Sequence, residues 1–174
     1  MARNVEIKAR VDDLASVEDR ARAIAGSGPI DLAQDDTFFA CARGRLKLRE
    51  LGDGHGELIH YFRADDSGPK VSDYVISPAP DPQSLREALG RAFGIIGRVR
   101  KRRRLYHLDR TRIHLDDVEG LGAFVELEVV LRDGEAVERG RAEAARIMGL
   151  LGIDESQLVQ GAYVDLFAPA KETA

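Results

Sequence analysis

The chain has 174 residues, 44% hydrophobic and 32% charged, a balance that predicts one soluble globular domain large enough for a substantial core. Its net charge of -4 argues against a general nucleic-acid binder, and a lone cysteine, Cys41, excludes an internal disulfide and fits a reducing cytoplasm. No apolar run approaches the roughly 20 residues of a membrane helix, and Glu6, Lys8 and Arg10 interrupt the apolar core that a signal peptide needs.

The first stretch, ARNVEIKARV, alternates strictly. Asn4, Glu6, Lys8 and Arg10 share one face, and Val5, Ile7, Ala9 and Val11 share the other, which is the period of a strand. DDLASVEDRARAIAGSG predicts a helix with Leu14, Val17, Ala21 and Ile24 in its apolar stripe, ended by Gly26 to Pro29. Short strands follow: DTFFACA, then GRLKLREL and ELIHYFRA joined as a hairpin by GDGHG, then the loop DDSGPK and the strand VSDYVIS. Lys70 falls in that loop. Asp81 as N-cap and Pro82 at the first helical position start a second helix, DPQSLREALGRAFG.

The second half repeats the rhythm. VRKRRRLYHL, TRIHLDDV and AFVELEVVL are strands, with the turn EGLG between the last two. EAVERGRAEAARIMGLLG is a third helix, DESQLVQG a shorter one, and AYVDLF closes the ordered part. At least seven strands joined mostly by hairpins predict a closed antiparallel barrel or sandwich with helices outside.

Several strands carry charge of one sign on one face. Arg45, Lys47 and Arg49 alternate with Leu46 and Leu48; Lys101 and Arg103 share a face with Val99 and Leu105; Glu126 and Glu128 alternate with Val125, Leu127 and Val129. Arg112, His114 and Asp116 share one face of TRIHLD. Like charges side by side repel, so a strand of cations and a strand of carboxylates both ask for a counter-charge. A polyanion on the cations and Mg²⁺ or Mn²⁺ on the carboxylates satisfies both, and is the minimum equipment of phosphoryl or nucleotidyl transfer. His60 and His114 have no partner at metal-ligand spacing and read as structural, as does Cys41, read as a small buried residue. Phe38, Phe39, Tyr61, Phe62 and Phe124 read as packing between barrel and helices. Arg100, Arg102 and Arg104 point away from Lys101 and Arg103, toward solvent or salt bridges.

NVEIKAR resembles the E-x-E-x-K signature of the CYTH superfamily, the triphosphate tunnel metalloenzymes. GRLKLR, YFRADDSGPKVSDY, VRKRRRLY and TRIHLDDVEGLGAFVELEVV follow in the family's order, so the resemblance spans about residues 2 to 167. It is nearest to the class IV adenylyl cyclase-like branch, with thiamine triphosphatases as cousins. The resemblance implies an α+β fold: a closed eight-stranded antiparallel β-barrel whose lumen is a charged tunnel, with helices packed outside. It implies a single CYTH-like domain over residues 1–168, leaving 169–174 as a disordered tail. Carried over position by position, Glu6, Glu126, Glu128 and Asp116 are the expected catalytic and metal-binding acids. Lys8, Lys47, Arg49, Arg63, Lys101, Arg103 and Arg112 are the expected triphosphate ligands.

One departure stands out: Asn4 occupies the position of the first signature glutamate, with a neutral amide in place of a carboxylate. The resemblance implies a cytoplasmic enzyme that uses Mg²⁺ or Mn²⁺ and a small-molecule triphosphate. The leading expectation is conversion of ATP to cyclic AMP and pyrophosphate. The alternative is hydrolysis of inorganic triphosphate, thiamine triphosphate or nucleoside triphosphates; a non-catalytic phosphate-binding module is the third. No membrane or nucleic-acid partner is expected. Relatives form dimers, so a homodimer is a further expectation, although no stretch of the sequence marks an interface.

Overall fold

Alternating stretches become strands in the computed structural model, which describes residues 2–63 and 69–167. The strands are β1 (Ala2–Arg10), β2 (Ser27–Phe39), β3 (Arg45–Leu51), β4 (Gly56–Arg63), β5 (Lys70–Ala79), β6 (Ile95–Leu108), β7 (Thr111–Val118) and β8 (Gly122–Val130). They close in the order β1-β5-β4-β3-β2-β6-β7-β8, every pairing antiparallel, with β8 returning to β1. Closure leaves no unpaired strand edge and turns alternate side chains inward.

The outward apolar faces are covered by helices. Val5, Ile7 and Ala9 of β1, Ile113 and Leu115 of β7 and Leu127 and Val129 of β8 pack under α1 (Leu14–Ile24) and α3 (Val137–Leu151), against Val17, Ala21, Ala144, Ile147 and Leu151. Gly140 lets α3 approach β1, because a Cβ there would meet Val5 and Leu131 at 2.8 and 2.7 Å. On the far side, Leu85 and Leu89 of α2 (Pro82–Phe93) cover Phe39, Leu48 and Ala79. Asp81 caps α2 as expected, accepting from the Ser84 backbone N–H at 3.1 Å.

A last short helix, α4 (Tyr163–Leu166), lies across one mouth of the barrel. Ala162, Tyr163 and Val164 pack on Phe38, Val99, Val118 and Phe124, and Val164 sits against Gly97, where any side chain would collide with it.

The structure corrects several expectations. β2 begins at Ser27, not Asp36: the stretch SGPIDLAQD is mostly exposed and pairs with β6 through the backbone ladder, with an ion-pair cluster near its end. Asp35 accepts from Arg98 at 2.6 Å and from Arg100 at 3.2 Å. Arg104 on the same outer face pairs with Glu18, so the arginines opposite the tunnel do end in salt bridges, apart from the exposed Arg102. Lys70 is the first residue of β5, opposite Glu6, and not in a loop. DESQLVQG forms only a 3₁₀ turn at Glu155–Gln157. Cys41 and Phe62 are exposed. The expected tail at 169–174 and most of the DDSGPK loop lie outside the described residues. No helix among the described residues is long and apolar enough to cross a membrane.

Candidate functional site

The strand period that buries Val5 and Ile7 outside the barrel aims Asn4, Glu6 and Lys8 into it. The lumen is a cavity of about 410 Å³, within the range of small-molecule sites. Lys47 and Arg49 of β3, Arg63 of β4, Lys101 and Arg103 of β6, Arg112 of β7 and Glu126 and Glu128 of β8 line it together with Glu6 and Lys8. Every sequence-predicted site residue except Asp116 therefore faces one cavity.

Two buried aspartates hold the cations in pairs. Asp36 accepts from Lys47 Nζ at 2.8 Å and from Arg49 Nε and Nη2 at 2.8 and 3.0 Å. Asp116 accepts from Lys101 Nζ at 2.8 Å, from Arg103 Nε and Nη2 at 2.6 Å each, and from the Tyr163 hydroxyl at 3.0 Å. Asp116 is fully buried (0% exposed), and its oxygens are occupied by these donors. Burial opposes the charge of both aspartates, but Arg49 and Lys47 hold Asp36, and Arg103 and Lys101 hold Asp116, well below the usual carboxylate range.

The lysines feel the opposite pressure. Burial lowers Lys8 and Lys47 to about 8 each, with Glu126 offsetting part of the penalty at Lys8 and Arg49 adding to it at Lys47. Lys8 Nζ donates to the Gly161 carbonyl at 3.1 Å, lies 3.3 Å from Glu126 and stands 3.9 Å from the centre of the Tyr163 ring. Lys101 Nζ stands 4.8 Å from the same ring. Arg63 joins Glu6 at 2.9 Å and the Gly161 carbonyl at 3.0 Å. The segment 161–163 thus closes one end of the tunnel and orders its cations.

Position along β6 gives the tunnel its direction. Gly97 touches the closing helix, and Val99, Lys101, Arg103 and Leu105 follow outward from it. Leu105, Leu32, Leu51, Ile76 and Tyr74 therefore line the open end, and Arg112 accompanies them, bonded to Glu128 through Nη2 at 2.6 Å. The carboxylates lie between the cation nest and this apolar rim. Burial and the Glu128 carboxylate push Glu6 up, whereas Lys101, Lys8 and Arg103 hold Glu126 well below its ordinary value against burial.

His114, read from sequence as structural, lies in this acidic section. It is 3% exposed, and its Nδ1 stands 3.9 Å from Glu126 and 3.8 Å from Glu128 with no hydrogen-bond partner. Ligand atoms of His114, Glu126 and Glu128 all lie within 4.8 Å of one another. Asn4 Oδ1 is a second buried atom of the lumen without a partner. Carboxylate oxygens gathered beside orphaned buried acceptors fit a divalent cation. Sequence reasoning also missed Asp36 and Tyr163. Alternation inward from Phe38 marks Asp36 and Gln34, and the face shared with Arg112 marks His114; nothing local marks Tyr163.

The model of the CYTH domain family matches residues 2–163. A Methanocaldococcus jannaschii protein, named as a candidate adenylate cyclase, is 24% identical over 169 residues, 93% of this chain and 97% of its own. A Pyrococcus horikoshii protein of solved structure superposes with a TM-score of 0.85 at 22% identity, covering 95% of this chain and 99% of that one. A Hippeastrum protein, described as a candidate adenylyl cyclase with a dominant triphosphatase activity, superposes with a TM-score of 0.65 at 17% identity, covering 96% and 95%. At these identities the structural likenesses carry the fold, the same eight-stranded closed barrel. The family match along nearly the whole barrel carries the membership: this chain belongs to the CYTH family.

Proposed function

We propose that this protein is a metal-dependent enzyme that takes a nucleoside triphosphate into its tunnel and converts ATP to cyclic AMP and pyrophosphate. The observation that carries the reading is the order of groups along the lumen: closing helix, cation nest, carboxylates, apolar rim. A triphosphate entering from the open end puts its terminal phosphates among Lys8, Lys47, Arg49, Lys101 and Arg103. Its organic group then rests on Leu32, Leu51, Ile76 and Leu105. The α-phosphorus falls at the carboxylates.

In this reading the cations neutralise the departing pyrophosphate in a confined, poorly screened space, where fixed charges count for more than in water. Arg103 and Arg49 present planar forks suited to phosphate oxygens, and Asp116 and Asp36 hold them in place, so Asp116 acts as a positioning residue. Tyr163 and the Gly161 carbonyl keep Lys8, Lys101 and Arg63 aimed inward and shut out water behind the leaving group. Glu126 and Glu128, with Glu6 beside them, are the carboxylates that would hold a divalent cation. When bound, Mg²⁺ or Mn²⁺ supplies Lewis acidity at a phosphoryl oxygen and lowers the pKa of the attacking hydroxyl. A reducing cytoplasm, in keeping with the single exposed Cys41, suits such an enzyme.

Hydrolysis of the terminal phosphate is the second reading. It is favoured by the apolar rim, which offers shape more than hydrogen bonds to an organic group, and by the activity described for the Hippeastrum neighbour. Incubating purified protein with ATP and Mn²⁺ and separating the products tests the choice. Cyclic AMP with equimolar pyrophosphate supports the cyclase; orthophosphate with no cyclic product overturns it.

A further inference from the structure

We infer that the divalent cation of this tunnel is bound through a nitrogen: His114 joins Glu126 and Glu128 as a ligand, which tilts the site from Mg²⁺ toward Mn²⁺ and other first-row transition ions. The inference rests on the metal-dependent reading above and goes beyond it in naming a ligand and a metal preference.

Three observations lead there. His114 is buried and its Nδ1 has no hydrogen-bond partner, a state that is rare in native proteins and points to a missing partner. The same Nδ1 faces two carboxylate oxygens at 3.8 and 3.9 Å, beyond hydrogen-bond reach. Donors around one ion, each about 2.1 Å from it, stand about 3–4.2 Å apart, so these separations suit an ion between them.

The third observation is rigidity. His114 is paired in register with Glu126 across β7 and β8, so the barrel ladder sets their spacing. Each carboxylate is anchored by a cation: Glu126 by Arg103 at 2.6 Å, on the Oε2 that also faces His114, and by Lys8 at 3.3 Å on Oε1; Glu128 by Arg112 at 2.6 Å on Oε2, leaving Oε1 toward His114. Such outer contacts orient ligands without consuming their remaining lone pairs. A set of one imidazole and two carboxylates binds transition ions better than the all-oxygen set that Mg²⁺ prefers.

The test is pulsed EPR on the protein loaded with Mn²⁺, with and without inorganic tripolyphosphate. Among the described residues His114 is the one histidine lining the cavity, so histidine labelled with ¹⁵N identifies it with no mutation. The expected result is a nitrogen coupling to Mn²⁺ that changes isotope with the label and disappears in His114→Gln. Mn²⁺ affinity falls at least about tenfold in that variant, and Mg²⁺ affinity falls by much less. Bound Mn²⁺ with no nitrogen coupling overturns the inference and leaves the proposed function standing. Failure of Mn²⁺ to bind at all, even with tripolyphosphate, overturns both.

Discussion

Arg103 grips Asp116 through both Nε and Nη2 at 2.6 Å, and the same Nη2 reaches Glu126 at 2.6 Å. One guanidinium therefore links the cation nest to the carboxylates, and its orientation depends on a residue that does not line the cavity. Asp116→Asn keeps the shape and removes the charge. Leaving Lys101 and Arg103 without it costs about 3–5 kcal/mol of stability in the free protein. Tripolyphosphate, which supplies the missing negative charge, restores much of the lost melting temperature. Calorimetry separates this role from metal ligation: the account predicts a larger loss of tripolyphosphate affinity than of Mn²⁺ affinity, whereas loss of a metal ligand reverses that order.

Lys8 and Lys47, lowered by burial to about 8, give the tunnel a pH signature. Around pH 8.5 both are largely neutral in the free protein, and a bound polyanion draws their protons back. Binding of tripolyphosphate without metal is expected to take up about one to two protons there, read by calorimetry in buffers of different ionisation enthalpy. Lys47→Arg, which keeps its charge, reduces the uptake. Stability follows with the same sense as for a salt-bridged carboxylate, because the folded-state pKa is depressed in both; for the lysines the effect is a penalty on the charged form that fades as the protons leave. Between about pH 8 and pH 10.4 the unfolded chain holds more protons on these two groups, so their contribution to stability rises with pH. An uptake independent of Lys47 contradicts the assignment.

Tyr163 carries two roles that substitution separates. Tyr163→Phe keeps the ring under Lys8 and Lys101 and loses only the hydroxyl bond to Asp116. Tyr163→Ala loses both and opens the closed end. With two cation–π contacts of about 0.5–2 kcal/mol each, KM for the triphosphate rises roughly tenfold or more in the alanine variant and by much less in the phenylalanine variant. Equal kinetics in both would remove the closing helix from the account.

Asn4 stands at the first glutamate position of the signature that this sequence resembles, and its Oδ1 is buried without a partner. Asn4→Glu adds a carboxylate near Glu6, whose pKa burial and Glu128 already raise. Without metal the variant melts at a lower temperature because like charges crowd the lumen; with Mn²⁺ the difference narrows or reverses. Thermal melts at graded Mn²⁺ read this directly.

Much of the tunnel was legible because a barrel preserves the period of its strands. Single-sign faces on RLKLRE, RKRR and VELE, with Glu6 and Lys8 alternating on VEIK, pointed inward together, and the resemblance closed them into a tunnel. What was missed depends on contacts between distant segments. The first half of β2 is exposed and is paired to β6 through the backbone ladder, with little apolar burial to announce it. Tyr163 arrives from a short helix beyond the last strand, and no local pattern announces its stack on Lys8. His114 was visible on the face of Arg112, but its orphaned nitrogen emerges only when β7 lies beside β8.

The central claim is that bond breaking occurs at the α-phosphorus, on the open side of the cation nest. Turnover of ATP with Mn²⁺ in water enriched in ¹⁸O, followed by ³¹P NMR and mass spectrometry, tests it most directly. The account predicts cyclic AMP and pyrophosphate, neither carrying solvent oxygen, because the attacking hydroxyl belongs to the substrate. Orthophosphate labelled with ¹⁸O, alongside ADP and no cyclic AMP, would contradict it.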